Sequence, residues 1–522
     1  MSRLITGNAR RDYDRLTAAY LKIKDERDDL EELRKSNVKT IKGLQKRIED
    51  LTEELNILHA KIKALENELA HAKAIQDHDS TNTSSPTSQT KPGKKKHIPN
   101  SRRSTGKSKG GQTGHPKHSL KPIAPGEETE TVIHGGPNDG QLCPKCNSGN
   151  YEYTGHSVEK SEYDIKITVR KVKHVWHIYR CLDCGTLFRD TIDPRLKDPA
   201  QYGMEVEAFL LSLVNIGNVP MNKAGMVLNG LTGGELNPSD GYIAKLQKRN
   251  ANRLDGFDSE LRRHILQMKI LCWDDTVIMV DTKRACLRFY GDTRLALYTA
   301  HEHKDLDSLM EDKILPLLTS ETTVMHDHNT VNYNEAFHFK NIECNQHLQR
   351  DLQRVTDDTG HTWANELKEL ISATIKARKD AIAAGHSSFS PEFIQTFEDK
   401  VSAIIKKGWK ELGTVEITPN TDPFERALLN RFKKYLKNYF QWVKDFSLPT
   451  TSNTAERALR RAKSKSKVSG QFESIQSAKY YARINSYIET CRRNGINDYE
   501  ALRRLVLGKP YTLAEILSHS SG

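Results

Sequence analysis

Residues 268–281 read MKILCWDDTVIMVD, strongly apolar on both sides of two adjacent acids, Asp274 and Asp275. A short apolar run of this kind predicts a strand buried in a sheet. Working outward, residues 285–292 (ACLRFYGD) and 295–300 (LALYTA) predict two more strands. Residues 305–318 (DLDSLMEDKILPLL) predict a helix, and 322–327 (TTVMHD) a short strand ending at Asp327. Residues 341–347 (NIECNQH) form a further β-like stretch. An acid within a central strand and another at the end of a neighbouring strand could approach each other. Two carboxylates held there would repel unless a divalent cation sat between them, and hard oxygen ligands suit Mg²⁺ or Mn²⁺.

A third acid completes such a site. Residues 451–467 (TSNTAERALRRAKSKSK) open a helix, with Ser452, Asn453 or Thr454 as N-cap. Glu456 falls in the first turn, with Arg460 at i+4 and Lys463 at i+7 on the same face. That face offers a metal ligand beside two phosphate-binding cations. Residues 457–483 hold eight Lys/Arg against one acid, Glu473, whereas a solvated helix more often interleaves signs. The order strand, strand, strand, helix, strand, helix, strand is that of an RNase H-like α/β core. Between Asp327 and Glu456 lie 128 residues with helical periodicity, which reads as an all-helical insertion.

The N-terminal region follows another period. From Tyr13 to Leu69 one 3-4 register holds, with Ile41, Ile48, Leu55, Ile62 and Leu69 at a and Leu44, Leu51, Leu58 and Leu65 at d. Large apolar residues outside that stripe are few (Leu21, Leu33, Val38 and Ile57), and mostly Ile at a with Leu at d favours a parallel two-stranded coiled coil. Downstream, Ser80 to Gly126 carries ten Lys/Arg and no Asp or Glu, leaving +2 of the net charge of +12 for the rest of the chain. The segment is poor in apolar residues and predicts a disordered basic linker. Such a block favours phosphate backbones without sequence preference.

Two pairs, Cys143-Pro-Lys-Cys146 and Cys181-Leu-Asp-Cys184, have the spacing of zinc knuckles. Four thiolates close a tetrahedral shell, so the zinc is structural. The intervening residues alternate apolar and polar, predicting strands. Residues 200–254 predict short amphipathic helices joined by Gly/Asn/Pro turns, either a helix-turn-helix that reads DNA or ordinary packing.

At about 100–200 residues per domain, 522 residues make three or four units. Mean hydropathy is −0.68, and no run approaches the roughly 20 apolar residues of a membrane span. The first residues, MSRLITGNARRDYDRL, lack the apolar core of a secretory signal. A cytoplasmic protein with metal-bound or free thiols is expected. The fold class expected is multidomain α+β. Its parts are a dimerising coiled coil (10–72), a basic disordered linker (73–126), a zinc ribbon-like domain (127–198) and a helical, helix-turn-helix-like DNA-binding domain (199–262). An RNase H-like core follows (263–350), with its helical insertion (351–445) and its C-terminal helices (446–522).

In this order the motifs resemble those of bacterial transposases of the insertion-sequence-66 family, a DDE family, almost end to end. The family's Gly-Gly-Gln-x-Gly-His stretch is matched by Gly110-Gly111-Gln112-Thr113-Gly114-His115, and its zinc region by Cys143, Cys146, Cys181 and Cys184. Its Asp-Glu-Thr motif, which bears the first catalytic acid, reads Asp274-Asp275-Thr276, with Asp where the family has Glu. Its Asp-Gly-Tyr motif reads Asp327-His328-Asn329, and its Cys-x-x-His-x-x-Arg motif is matched by Cys344, His347 and Arg350. Its Asn-Asn-x-x-Glu-Arg motif reads Ser452-Asn453-Thr454-Ala455-Glu456-Arg457, followed by Lys467-Val468-Ser469-Gly470 for Lys-x-Ser-Gly.

The resemblance implies that Asp274, Asp327 and Glu456 are catalytic and bind Mg²⁺ or Mn²⁺. It implies that Arg457, Arg460, Lys463 and Lys467 meet DNA, and that Asp275, Cys344, His347 and Arg350 support the site. The implied reaction is metal-dependent cleavage and strand transfer at the ends of an insertion sequence. The implied partners are double-stranded DNA, a second copy of the chain and small accessory proteins of related elements, at the bacterial nucleoid. Two other readings stay open: a domesticated, catalytically silent DNA-binding regulator, and an RNase H-like nuclease without strand transfer.

Overall fold

The heptad region forms one helix, α1 (Ile5–Asp77), in a computed structural model that describes residues 5–77, 120–134, 140–413 and 424–519. At about 1.5 Å per residue it runs about 110 Å. Its a and d side chains are exposed, Ile48 at 63% and Leu58 at 54%. Most of the basic linker, with Gly110 to His115, lies outside the described residues. No described helix is long and apolar enough to cross a membrane.

The chain divides into two compact units. One holds Met1–Ile98, Gln349–Leu370 and Asp399–Phe432; the other holds Pro99–Leu348, Ile371–Glu398 and Lys433–Gly522. In the second unit, the cysteine region contains one short antiparallel pair, β1 (Tyr179–Arg180) with β2 (Leu187–Phe188). This differs from the strands expected throughout 151–178. The apolar side chains there stay exposed, Val158 at 90% and Ile165 at 83%. An alternating pattern with neither a hydrogen-bonded neighbour nor a buried face does not become a strand.

Four helices follow: α2 (Met204–Asn215), α3 (Met221–Leu231), α4 (Asp240–Asn252) and α5 (Asp255–Leu266). The sheet then forms from β3 (Ile270–Val280), β4 (Lys283–Gly291), β5 (Ala296–His301), β6 (Thr323–His326) and β7 (Lys340–Glu343), with α6 (Leu306–Asp312) between β5 and β6. Its spatial order is β5-β4-β3-β6-β7. The first three strands are antiparallel neighbours, while β6 and β7 run parallel to β3. Between β6 and β7 the chain makes a 3-10 turn, Thr330–Tyr333, where a helix was expected. Residues 327–339 separate the two strands, and the side chains of Asn329 and Asn334 turn the chain there by accepting from the Val331 and Ala336 N–H groups.

Beyond β7 come α7 (Asn345–Thr359), α8 (Trp363–Ala383), α9 (Pro391–Leu412), α10 (Phe424–Phe440), α11 (Asn453–Val468), α12 (Ile475–Arg493), α13 (Asp498–Val506) and α14 (Leu513–His519). In the first unit, buried Glu425 accepts from His361 and from the indole N–H of buried Trp363.

In the second unit one hydrophobic core joins the four helices after the cysteine region to the sheet and the C-terminal helices, through Leu211, Leu246, Ile265, Leu271, Tyr290 and Tyr487 among others. Strand β5 is a sheet edge. Its outward N–H groups on Ala296 and Tyr298 donate to Thr490 (3.2 Å) and Ser486 (2.8 Å), four residues apart on α12. A helix thereby satisfies an edge that would otherwise be open to pairing.

Candidate functional site

The register of the sheet assembles the acids. Strand β3 pairs with β6 from Ile270 with Thr323 to Cys272 with Met325. The same offset carried on places Asp327 level with Asp274. Strand β6 pairs with β7 up to His326 with Glu343, and the Cys344 N–H donates to the His326 carbonyl at 3.0 Å. Asp274 in the middle of β3 therefore lines up with Asp327 and Cys344, which directly follow the ends of β6 and β7.

Alternation separates the two neighbouring aspartates. Asp274 pairs with Phe289 and Asp275 with Arg288 across β4, and successive side chains take opposite faces. Phe289 is in turn opposite Tyr298, whose hydroxyl donates to the Ala458 carbonyl of α11 at 3.1 Å. Helix α11, with Glu456 in its first turn, thus covers the face that Asp274 shares. On the other face, Asp275 forms an ion pair with Lys304 at 2.6 Å.

The Asp275–Lys304 pair sits over a buried network. Arg288 Nη1 lies 3.0 Å from Asp312 Oδ2, and Tyr290 and His301 also bond Asp312 at 2.8 and 2.6 Å. Neither Lys304 nor Asp312 was singled out from the sequence. A local signal existed for the network: Arg288 inside the apolar stretch ACLRFYGD is a charge that burial obliges to find a partner.

Two contacts fasten the start of α11 to the end of β7. The Ser452 N–H donates to Cys344 Sγ at 3.2 Å, and the Asn345 N–H donates to the Thr450 carbonyl at 3.0 Å. Ser452 is the N-cap residue, as the sequence allowed, but its side chain makes no capping bond. The far end of the helix is also tied. Phe472 N–H donates to the Met279 carbonyl (2.8 Å), and Asp281 N–H to the Phe472 carbonyl (3.0 Å), both on the β3 side.

Electrostatics converge on His347. Burial first, then the charges of Asp327 and Asp275, push Asp274 up to about 7, and His347 opposes that rise. Burial would lower His347, but Cys344, then Asp327 and Glu456, outweigh it and bring the imidazole up to about 9. Cys344 is fully buried, which alone would raise its thiol; hydrogen bonds from His347 and Ser452 bring it below the ordinary value. The Nε2 of His347 lies 3.9 Å from Glu456 Oε1, and that oxygen is buried without a hydrogen-bond partner.

Among the described residues, the group whose metal-ligating atoms all lie within 4.8 Å of one another is Cys344, His347 and Glu456. The three acids do not close to that spacing. Buried like charges repel, and the histidine sits among them as their countercharge. Arg350 follows His347 on α7, half-buried, with its Nε unpartnered. Arg457, Arg460, Lys463 and Lys467 are exposed on α11, while Ala455, Ala458, Leu459 and Ala462 bury the opposite side.

The two cysteine pairs fold as matching turns. Cys143 N–H donates to the Ser148 carbonyl and Asn147 N–H returns to Cys143; Cys181 N–H donates to Thr186 and Gly185 N–H returns to Cys181. Asn147 and Gly185 both take positive φ, 53° and 73°. Each pair is the kind of knuckle that offers two thiolates to one cation, although the four sulfurs do not gather into one group.

Residues 200–480, more than half of the chain, match the family model described as Transposase IS66 family. No curated protein matches the chain.

Proposed function

The chain belongs to the IS66 family of transposases, and from that premise we propose that it binds the ends of an insertion sequence and carries out metal-dependent DNA cleavage and strand transfer on an RNase H-like core. The observation that carries the reading is that Asp327, just past the end of β6, stands level with Asp274 inside β3, with Glu456 brought over the same face by α11. The unpartnered buried oxygen of Glu456 and the raised carboxyl of Asp274 fit oxygen ligands to a hard divalent cation. Two Mg²⁺ or Mn²⁺ ions held by these acids would activate the attacking water or 3′-hydroxyl and stabilise the leaving oxygen.

The protein's own part is placement. Asp274 rather than Asp275 is the first ligand, because Lys304 already neutralises Asp275 on the opposite face. Arg460 and Lys463, with Arg457 and Lys467, set exposed cations along the helix that carries Glu456 in its first turn, where the phosphates flanking the cut would lie. No covalent protein–DNA intermediate is required, since the acids are ligands and not nucleophiles. The helices between residues 351 and 445 act as an insertion that contacts DNA or a second protomer.

The experiment incubates full-length protein with labelled end DNA and Mg²⁺ or Mn²⁺. Nicked ends joined to target DNA support the reading. Cleavage without joining would leave a nuclease, and binding without cleavage a regulator.

The exposed apolar stripe of α1 pairs two protomers as a coiled coil, so that both ends are held together. Replacing Leu51 and Leu58 with lysine should weaken the dimer by about 10³-fold or more, because each lost leucine forfeits about 1.5–3 kcal/mol of burial. Sedimentation equilibrium reads the change; an unaltered dimer would place the contact elsewhere. The two knuckles, brought together, would supply four thiolates to one structural zinc. Replacing Cys181 with serine should remove about one zinc per chain in a metal assay and weaken end binding, with little change at the acids.

A further inference from the structure

We propose that Cys344, His347 and Glu456 form a second cation site, one that takes a thiophilic divalent ion such as Zn²⁺ and shares Glu456 with the catalytic centre. The inhibitory consequence rests on the proposed role of Glu456 as a magnesium ligand; the site itself does not. Three observations carry it. The three ligand atoms lie within 4.8 Å of one another. His347 Nδ1 and Glu456 Oε1 are buried without hydrogen-bond partners, and the 3.9 Å between His347 Nε2 and Glu456 Oε1 is too long for a hydrogen bond. Cys344, 1% exposed, is held in place by the Ser452 N–H, the kind of amide contact that supports a metal thiolate from behind.

The donor set decides the ion. Magnesium demands oxygen ligands in octahedral array, so a sulfur at this position does nothing for it. A thiolate, an imidazole and a carboxylate suit a borderline-soft ion in tetrahedral geometry, with the fourth position left to water. Binding releases to solvent the protons held by the thiol and by the ligating imidazole nitrogen, since both must be deprotonated to ligate. Glu456 cannot serve both ions in one geometry. Filling the Cys344 site therefore withdraws the third acid from strand chemistry and holds the enzyme in an inhibited state.

The test uses the full chain. In a background with Cys143, Cys146, Cys181 and Cys184 all replaced by serine, which removes both knuckles, Co²⁺ should still produce thiolate-to-metal charge-transfer absorption. Adding Cys344→Ser should abolish it. In the otherwise natural protein, the Zn²⁺ concentration that half-inhibits Mg²⁺-supported end cleavage should rise roughly tenfold or more on Cys344→Ser. Cobalt absorption that is absent in the knuckle-deficient protein, or that survives Cys344→Ser, overturns the site. If the serine variant fails to fold, His347→Gln takes its place, and unchanged cobalt spectrum and affinity there overturn it equally. Cobalt bound as expected while Glu456→Gln cleaves normally would keep the cation site and instead sink the catalytic reading of Glu456.

Discussion

Replacement of Asp327 by alanine is expected to reduce cleavage of end DNA by on the order of 10³-fold or more, with DNA affinity within a few-fold of the natural protein. On the proposed metal site, Asp274→Asn and Glu456→Gln should match it, because each would remove one oxygen ligand of the proposed set while leaving the exposed cations of α11 in place. The discriminating member of the series is Asp275→Asn. That residue faces the other side of the sheet and is paired with Lys304, so its loss should cost far less than that of Asp274. Single-turnover cleavage with labelled ends, run beside a binding assay and circular dichroism, measures all four. Comparable losses at Asp274 and Asp275 would contradict the assignment by alternation. A fully active Asp327→Ala would remove the row of acids from the chemistry.

The largest effect on stability is expected at Asp312. This carboxylate and Arg288 are almost wholly buried, at 2% and 1% side-chain exposure. Removing one partner of such a pair leaves a charge with no solvent, at a cost of about 3–5 kcal/mol. Asp312→Ala should therefore lower the denaturation midpoint sharply, while Arg288→Met combined with Asp312→Leu should recover much of the loss. Burial alone would raise the Asp312 carboxyl, but His301, then Arg288 and Tyr290, hold it below its ordinary range. The stability it provides is present above its unfolded pKa and is lost as pH falls through the lower folded one. Acid denaturation of the alanine variant should show a shallower slope in that range. Equal midpoints for Asp312→Ala and the natural protein would mean that the network contributes nothing.

The strands of the sheet were legible because their apolar runs are long and bounded by polar turns; MKILCWDDTVIMVD and TTVMHD both form strands at the expected places. The helix opening at Ser452 was legible from its cap and its one-sided cations. What local pattern could not provide was register. That Asp327 stands level with Asp274, and Cys344 with Asp327, depends on pairings between distant segments. For the same reason the opposite facing of Asp274 and Asp275 was known only as alternation, with nothing to say which face mattered until α11 covered one of them. The cysteine region misled in the other direction. Its alternating residues 151–178 carry the period of strands, yet pairing is confined to Tyr179–Arg180 with Leu187–Phe188, because period alone supplies no neighbour.

The helix that carries Glu456 is pinned at both extremities, to Cys344 and Asn345 at its start and to Met279 and Asp281 beyond its end. A rod anchored twice cannot swing like a lid. Glu456 therefore sits on a backbone already fixed by the scaffold, and any partner that uses this carboxylate would have to come to it.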